Sequence, residues 1–353
     1  MRTLALRRSL GRAATLSLLS LVLTACVTGN RATQDVTTAE RTKGGLFGMS
    51  EYADMEVNKP KAFAGKSKLI IGSFKVGFVD SKRAEAKAGG GIMGSAYGGK
   101  SVARLKLEGV DDQHKQALTE VAYNSFTQRL QKAGYEIVEL GVLQGYKGYE
   151  KVKLFDFPLE SDNSGLLSDY GVTYYHTPAV FGKTHVYMGE IPGESGGFGF
   201  SSPNAVTAEF AKATGIPVIN VSYVLDFANT GSYGDFFTST SSVSVGQGMT
   251  LVPGANLGII SGWGGSFSDE VGSLRTGQPL TSDIKFAAVE DSTTDTHKTV
   301  QTVTNVVGLL GGIGSNITRD YIVRADPERF EAAAIDVIEQ INEAFVLKMA
   351  ELR

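Results

Sequence analysis

Cysteine is nearly absent: Cys26 is the only one in 353 residues. No internal disulfide can form, so the fold must rest on an apolar core. Histidine is scarce as well. His114, His176, His185 and His297 include no pair at the spacing of H-E-x-x-H, and no cysteine joins them. The common zinc patterns are therefore excluded, and the sequence predicts neither a metal site nor a cofactor. The four read as ordinary surface or strand histidines. Asp162-Asn163-Ser164-Gly165 lacks the remaining ligands of a calcium loop. Only 9 prolines stand against 43 glycines, which argues against a Pro-rich disordered chain and for strands joined by flexible loops. Beyond residue 25 no apolar run reaches the ~20 residues of a membrane-crossing helix. The nearest is Val306-Val307-Gly308-Leu309-Leu310-Gly311-Gly312-Ile313-Gly314. It reads as a buried connection, or as a contact with membrane or partner.

What is present begins with an export signal. Arg2, Arg7, Arg8 and Arg12 form a basic leader without acidic residues. Ala13 to Leu23 follows, apolar except for Thr15, Ser17 and Ser20, with the length and flanks of a signal-peptide core. It ends in Leu23-Thr24-Ala25-Cys26, small residues before a thiol. This resembles the lipobox of bacterial lipoproteins. The resemblance implies that residues 1–25 are cleaved and that Cys26 becomes the lipid-carrying first residue. Arg7-Arg8-Ser9-Leu10 matches a twin-arginine signal only in part, which favours the general secretory route. Removing the four leader arginines from 34 basic residues leaves 30 against 37 acidic, a formal charge of −7. Such a surface is a poor partner for nucleic acid, whose binding is driven by phosphate neutralisation.

Residues 26–66 read as the lipidated N-terminus and a flexible tether, polar and without sustained periodicity. Residues 67–353 read as a single α/β domain, a mixed β-sheet packed by amphipathic helices, with long irregular insertions near 141–200 and 265–325. Lys68 to Val79 is strand-like and ends in the alternation of Phe74, Val76 and Phe78. A Gly-rich loop is expected over 82–101. A second strand, 102–107, sets Ala103, Leu105 and Leu107 on one face and Arg104 and Lys106 on the other, suggesting a hairpin with the first. Asp111 or Asp112 caps a helix whose apolar face is Leu118, Val121, Ala122, Phe126, Leu130 and Ala133, stopped by Gly134. Tyr135 to Glu139 is a short strand. Ser202 and Pro203 open a short helix ending at Gly215. Ile216 to Phe227 reads as a central strand, Val243 to Ile260 as one or two more, and 265–296 as a polar excursion. Asp326 and Pro327 open a final helix striped by Phe330, Ala334, Val337, Ile338, Ile341, Phe345 and Met349. A bilayer-spanning strand needs about 9–11 alternating residues. Neither 74–79 with 102–107 nor the Val243, Val245, Met249, Leu251 run, broken by Gly246 and Gly248, is long enough alone.

Two motifs raise chemistry. Gly94-Ser95-Ala96-Tyr97-Gly98-Gly99-Lys100-Ser101 matches the phosphate-binding pattern G-x-x-x-x-G-K-[ST]. A P-loop lies directly between a buried strand and a helix, whereas residues after Ser101 alternate like a strand, so the nucleotide reading is rejected. Gly193-Glu194-Ser195-Gly196-Gly197 matches the nucleophile elbow G-x-S-x-G, with acids and His297 downstream. Pro192 spoils the strand before it, and Phe198-Gly199-Phe200 does not start a helix. A lipid-anchored serine hydrolase using Ser195 is kept as the alternative class. Trp263, in Gly262-Trp263-Gly264-Gly265, reads as a half-exposed strand-end aromatic.

The order of elements is similar to that of the CsgG-like lipoproteins, the family of the curli secretion channel. It is carried by the 68–79 strand, the 111–133 helix, the Tyr135–Glu139 strand, the helix ending Ala211-Lys212-Ala213-Thr214-Gly215, the strand Ile216 to Phe227 and the long final helix. The Glu-Arg usual after the short strand is missing, since Leu140 follows Glu139. The resemblance implies an outer-membrane lipoprotein with a periplasmic α/β domain and no catalytic residues. It also implies a role in export or surface assembly with other envelope proteins or with itself as a homo-oligomer. Val27, where an aspartate would favour the inner membrane, points to the outer membrane in the same way. A structural envelope lipoprotein without an export role is the remaining alternative.

Overall fold

The computed structural model describes residues 41–43, 50–52, 55–87, 99–162, 171–234, 241–263, 268–293, 300–301, 307–311 and 316–353. Cys26, the leader and most of the tether lie outside them, as do His297 and the first five residues of the P-loop-like motif. The strands are β1 (Arg41–Lys43), β2 (Ser50–Tyr52), β3 (Met55–Asn58), β4 (Lys68–Val79), β5 (Ser81–Lys87), β6 (Lys100–Glu108), β7 (Glu136–Val138), β8 (Leu159–Asp162) and β9 (Val172–His176). They continue as β10 (Val218–Gly234), β11 (Ser241–Leu251), β12 (Asn256–Ile260), β13 (Val271–Thr276), β14 (Leu280–Thr281), β15 (Ala287–Asp291), β16 (Val300–Gln301), β17 (Val307–Gly311) and β18 (Asn316–Ala325). The helices are α1 (Asp112–Lys132), α2 (Leu140–Gln144), α3 (Pro203–Thr214) and α4 (Pro327–Leu352). The architecture is mixed α/β, rich in strands.

Eleven strands form the main sheet, with the path β3-β13-β12-β10-β4-β9-β8 and with β7, β11, β14 and β17 joined at its sides. At its centre β4 and β10 run parallel. Side-chain alternation decides what each face becomes. Leu69, Ile71, Phe74, Val76 and Phe78 of β4 join Ile219, Val221, Tyr223 and Leu225 of β10 in one apolar core with α1 and α4. Phe74 meets Tyr223 edge-on at 5.9 Å and Phe126 at 5.7 Å. The two helices form where the caps predict. Asp111 accepts from the His114 amide, Asp326 from the Arg329 amide, and Gly134 follows α1 with φ +84°. Every residue of the expected α4 stripe is buried. Each of them larger than Ala334 contributes about 1.5–3 kcal/mol.

Five strands form the second sheet, in the order β16-β15-β18-β6-β5. Its inner face, including Ala84, Ala86, Ala103, Leu105 and Leu107, is buried in the same core. Its outer face is charged and laced with ion pairs such as Arg83–Glu85 (2.6 Å), Lys100–Glu85 (3.1 Å) and Arg324–Glu108 (3.0 Å). Pairs this exposed contribute ~0–1 kcal/mol each, so they mark a solvated face more than they stabilise it. Between the sheets, Lys82 pairs with Asp226 and also donates to the Ala228 carbonyl at 2.8 Å.

Three expectations are corrected. The loop placed over 82–101 is strand at both ends, β5 and the start of β6. The hairpin is β5 with β6, while β4 pairs with β7, β9 and β10. The small inward residues Ala84 and Ala86, between charged neighbours, hid the period of β5. Among the described residues of 265–325, where irregular structure is expected, β13 lies between β3 and β12, and β15 and β18 belong to the second sheet. These strands are short or carry charge on the outer face, which weakens the apolar signal. Finally, β10 is 17 residues long and β11 is 11, longer than their apolar alternation suggested. Among the described residues, the 141–200 stretch holds α2, short β8 and β9, and turns. Val307–Gly311 pairs antiparallel with β11; the rest of that apolar run lies outside the described residues. No helix among the described residues is long and apolar enough to cross a membrane.

Candidate functional site

The face of the main sheet turned away from α1 and α4 is divided: Ile70 and Val218 pack under Val206 and Phe210 of α3, Ile260 packs against Ala208, and a polar patch lies beside them. On β10 it carries Asn220 and Ser222, on β12 Asn256 and Gly258, on β13 Ser273 and Arg275. Their registers align them in two rows across the strands: Ser222, Asn256, Arg275, and Asn220, Gly258, Ser273, Asn58. On β4 a bulge at Gly72 shifts the register between Ile71 and Ser73, which turns Ser73 and Lys75 to this face while Phe74 stays in the core. A Cβ on Gly72 would come within 2.5 Å of Val218 Cγ1, so only glycine lets the two strands close here.

The turn Tyr187 to Glu190 crosses over these rows. Glu190 is its anchor, and the side chains of Glu190 and Lys75 are 3% and 0% exposed, a degree of burial that only a fully bonded pair tolerates. Lys75 Nζ donates to Glu190 Oε2 at 2.8 Å, Ser73 Oγ to Oε1 at 3.2 Å, Asn220 Nδ2 to Oε1 at 3.0 Å and the Tyr187 amide to Oε2 at 2.8 Å. Burial, opposed by the Glu190 charge, holds the Lys75 amine below the ordinary lysine value. Behind the pair, His185 is fully buried and pushed down to about 3 by burial and then by the Lys75 charge, so it stays neutral. Its Nδ1 lies 3.2 Å from the Tyr149 hydroxyl. Tyr187 shares a 2.9 Å hydrogen bond with Thr207 of α3, and burial raises its phenol well above the usual range.

Turn and sheet enclose a cleft of about 250 Å³. Asn58, Asn204, Asn220, Asn256, Ser222, Ser273 and Arg275 give it its polar wall, and Met188, 63% exposed, stands at its lip. Gly258 forms part of the floor; a Cβ there would meet Asn220 Oδ1 at 2.6 Å. Asn220 and Ser222 are bonded to Glu190. Asn58, Asn204, Asn256, Ser273 and Arg275 make no side-chain bond to the protein among the described residues. Among the described residues the cleft therefore presents neutral donors and acceptors plus one guanidinium, and its one carboxylate is fully bonded.

The residues singled out in the sequence lie elsewhere. Ser195 sits in an irregular segment, where its Oγ accepts from the Gly197 amide at 3.1 Å. No strand runs into it, no helix follows it directly, and no histidine is bonded to it among the described residues. Lys100 and Ser101 start strand β6; Lys100 pairs with Glu85, and Ser101 Oγ lies 2.8 Å from Ser241 Oγ. Trp263 is 46% exposed just after β12, as expected. His114 lies at the α1 cap, and His176 is on β9, buried and lowered to about 4 by burial. His185 departs from the surface-or-strand expectation, being buried in a non-strand segment. Asp162 ends β8, and the three residues after it lie outside the described set. No group of three His, Cys, Asp or Glu among the described residues is placed to hold a metal ion. The cleft went unseen in the sequence, although Asn220/Ser222, Asn256/Gly258 and Ser273/Arg275 recur at the i, i+2 spacing that marks one face of a strand. No protein-family model, no curated protein and no solved structure matches this chain.

Proposed function

We propose that this chain is a lipid-anchored protein of the bacterial envelope, acylated at Cys26 and held at the periplasmic face of the outer membrane. Its folded part works as a non-enzymatic component of export or surface assembly, contacting other envelope proteins or further copies of itself. The supporting observation is the composition of the cleft. Free amides, a free hydroxyl and one guanidinium line it, while its one carboxylate and the adjacent lysine are locked together. Such a set binds and orients; it offers no poised nucleophile and base. The resemblance to CsgG-like lipoproteins supports the same reading through its element order and lipobox.

The test is made on the native protein. Mass spectrometry of the mature N-terminal peptide is expected to show diacylglycerol on Cys26, and Cys26→Ser is expected to leave uncleaved or mislocalised protein. An unmodified mature terminus overturns the anchor. Native mass spectrometry of the purified protein addresses assembly: a closed ring supports the export role, and a monomer favours the scaffold alternative.

A further inference from the structure

We infer that the cleft over the polar face of the main sheet binds an acidic sugar, a ring with several hydroxyl or acetamido groups and one carboxylate. The inference goes beyond the envelope reading and does not depend on the lipid anchor.

Hydrogen-bonding capacity comes first. Asn58, Asn204, Asn256 and Ser273 face the cleft with their side chains unbonded to protein. Each amide both donates and accepts, and so does each hydroxyl of a sugar, so the two chemistries satisfy each other. Charge comes second. Glu190 is offset by Lys75 and three further donors, which leaves Arg275 as the uncompensated charge of the wall. Glu56 stands opposite Arg275 in register, but it is outside the wall and forms no ion pair with it. A guanidinium binds a carboxylate through two parallel bonds, which selects an acid over a neutral sugar. Shape comes third. The volume of about 250 Å³ falls below the ~300–1,000 Å³ of sites for drug-sized ligands, and suits a single ring. Gly258 lets the Asn220 amide lie flat against the floor, and Met188 offers an apolar lip against which a ring face can pack. Neighbouring strands, about 4.7–4.9 Å apart, set Asn256 beside Arg275, with Ser273 two residues along the same strand, so the site is rigid before the ligand arrives.

Acidic sugars of this kind occur both in cell-wall glycan and in lipopolysaccharide, and the test separates the two. Full-length protein, in a detergent without a sugar headgroup, is titrated calorimetrically with N-acetylmuramic acid, with 3-deoxy-octulosonic acid and with neutral N-acetylglucosamine. At least one acid is expected to bind about tenfold or more tightly than the neutral sugar, the loss expected for one charge-assisted pair. Preference for N-acetylmuramic acid assigns the wall glycan; preference for the octulosonic acid assigns lipopolysaccharide. Arg275→Gln is expected to abolish the acid preference, and Asn256→Ala to weaken all binding severalfold. Unchanged thermal melts show that both variants are folded. The proposal is overturned if none of the three binds in the millimolar range, or if the two folded variants bind like wild type. Binding of a short peptide carboxyl terminus in place of every sugar also overturns it.

Discussion

The two faces of the main sheet are made by the same strands and hold together by different means. The helix face is closed by apolar burial: Phe74, Ile219 and Tyr223 meet Phe126, Ile338 and Phe345, with Asn342 as an inserted polar side chain donating to the Ala122 carbonyl. The opposite face has smaller apolar clusters, such as Ile70 and Val218 under Val206 and Phe210, but around its polar cleft it is held by one buried carboxylate with four donors. Apolar contact is non-directional and seals; hydrogen bonds are directional and fix a loop in place while leaving neighbouring polar groups free. The division of labour follows from alternation along single strands: in β10, Ile219, Val221 and Tyr223 build the core, and Asn220 and Ser222 between them build the site.

The contrast is broken most severely from the helix side. Ile338→Ala is expected to cost about 2–5 kcal/mol, and Ile338→Asp more, because it buries an unpaired charge. Urea denaturation measures both, and wild-type midpoints would mean that the helix face is not the core. On the other face, Glu190→Gln strands the Lys75 ammonium and is expected to cost about 3–5 kcal/mol. The double change Lys75→Met with Glu190→Leu is expected to recover much of that loss; if it does not, packing outweighs the ion pair.

A smaller effect is the pH dependence of Lys75. Its folded value lies below the ordinary 10.5, so between the two values the unfolded chain holds more protons. The contribution of this lysine to stability is least at pH below the folded value and grows as pH rises toward 10.5. The stability of wild type relative to Lys75→Met is therefore expected to increase across that window, and parallel curves would refute the assignment. Asp226 has the opposite sign: burial, opposed by Lys82, raises it, so its contribution is present at pH below 3.8 and lost as pH rises through the folded value. The smallest effects are expected at the two motifs that sequence pattern alone made prominent. Lys100→Ala, removing one surface pair, should change stability by less than ~1 kcal/mol and leave no nucleotide binding to lose. Ser195→Ala should leave the labelling by a fluorophosphonate probe unchanged at background; Ser195-dependent labelling would restore the hydrolase alternative.

The sequence was most legible where signals are local. Asp111, Ser202 with Pro203, Asp326 with Pro327, and Gly134 and Gly215 mark helix ends by their own backbone chemistry. The centre of the sheet was legible from β-branched density in β10. Ranges that depend on partners were not. β5 shows only alternating alanines, and its burial becomes visible once β10 and β11 lie over it. The cleft was hidden for a related reason. Asn220 and Ser222 look like polar interruptions of an apolar strand until β12 and β13 align Asn256, Ser273 and Arg275 beside them. Glu190 lies in an aperiodic turn some 115 residues from Lys75, and no local rule connects the two.

The passage from one sheet to the other has a mechanical consequence. β4 ends at Val79 and β5 begins at Ser81, with only Asp80 between them. Even this residue is pinned, its amide bonded to the Val172 carbonyl at 2.8 Å and its carbonyl to the Leu107 amide at 2.9 Å. β10 stays in the main sheet from its pairing with β4 to its pairing with β11, and packs against β5. At the β4–β5 joint the two sheets are therefore linked by a stiff backbone, with a single pinned residue between the strands. A force applied to the β5–β6 hairpin travels as tension along β4, whose Lys75 lies five residues before the joint and clamps the turn over the cleft. Load on the charged sheet is thus delivered along β4 to the clamp over the cleft.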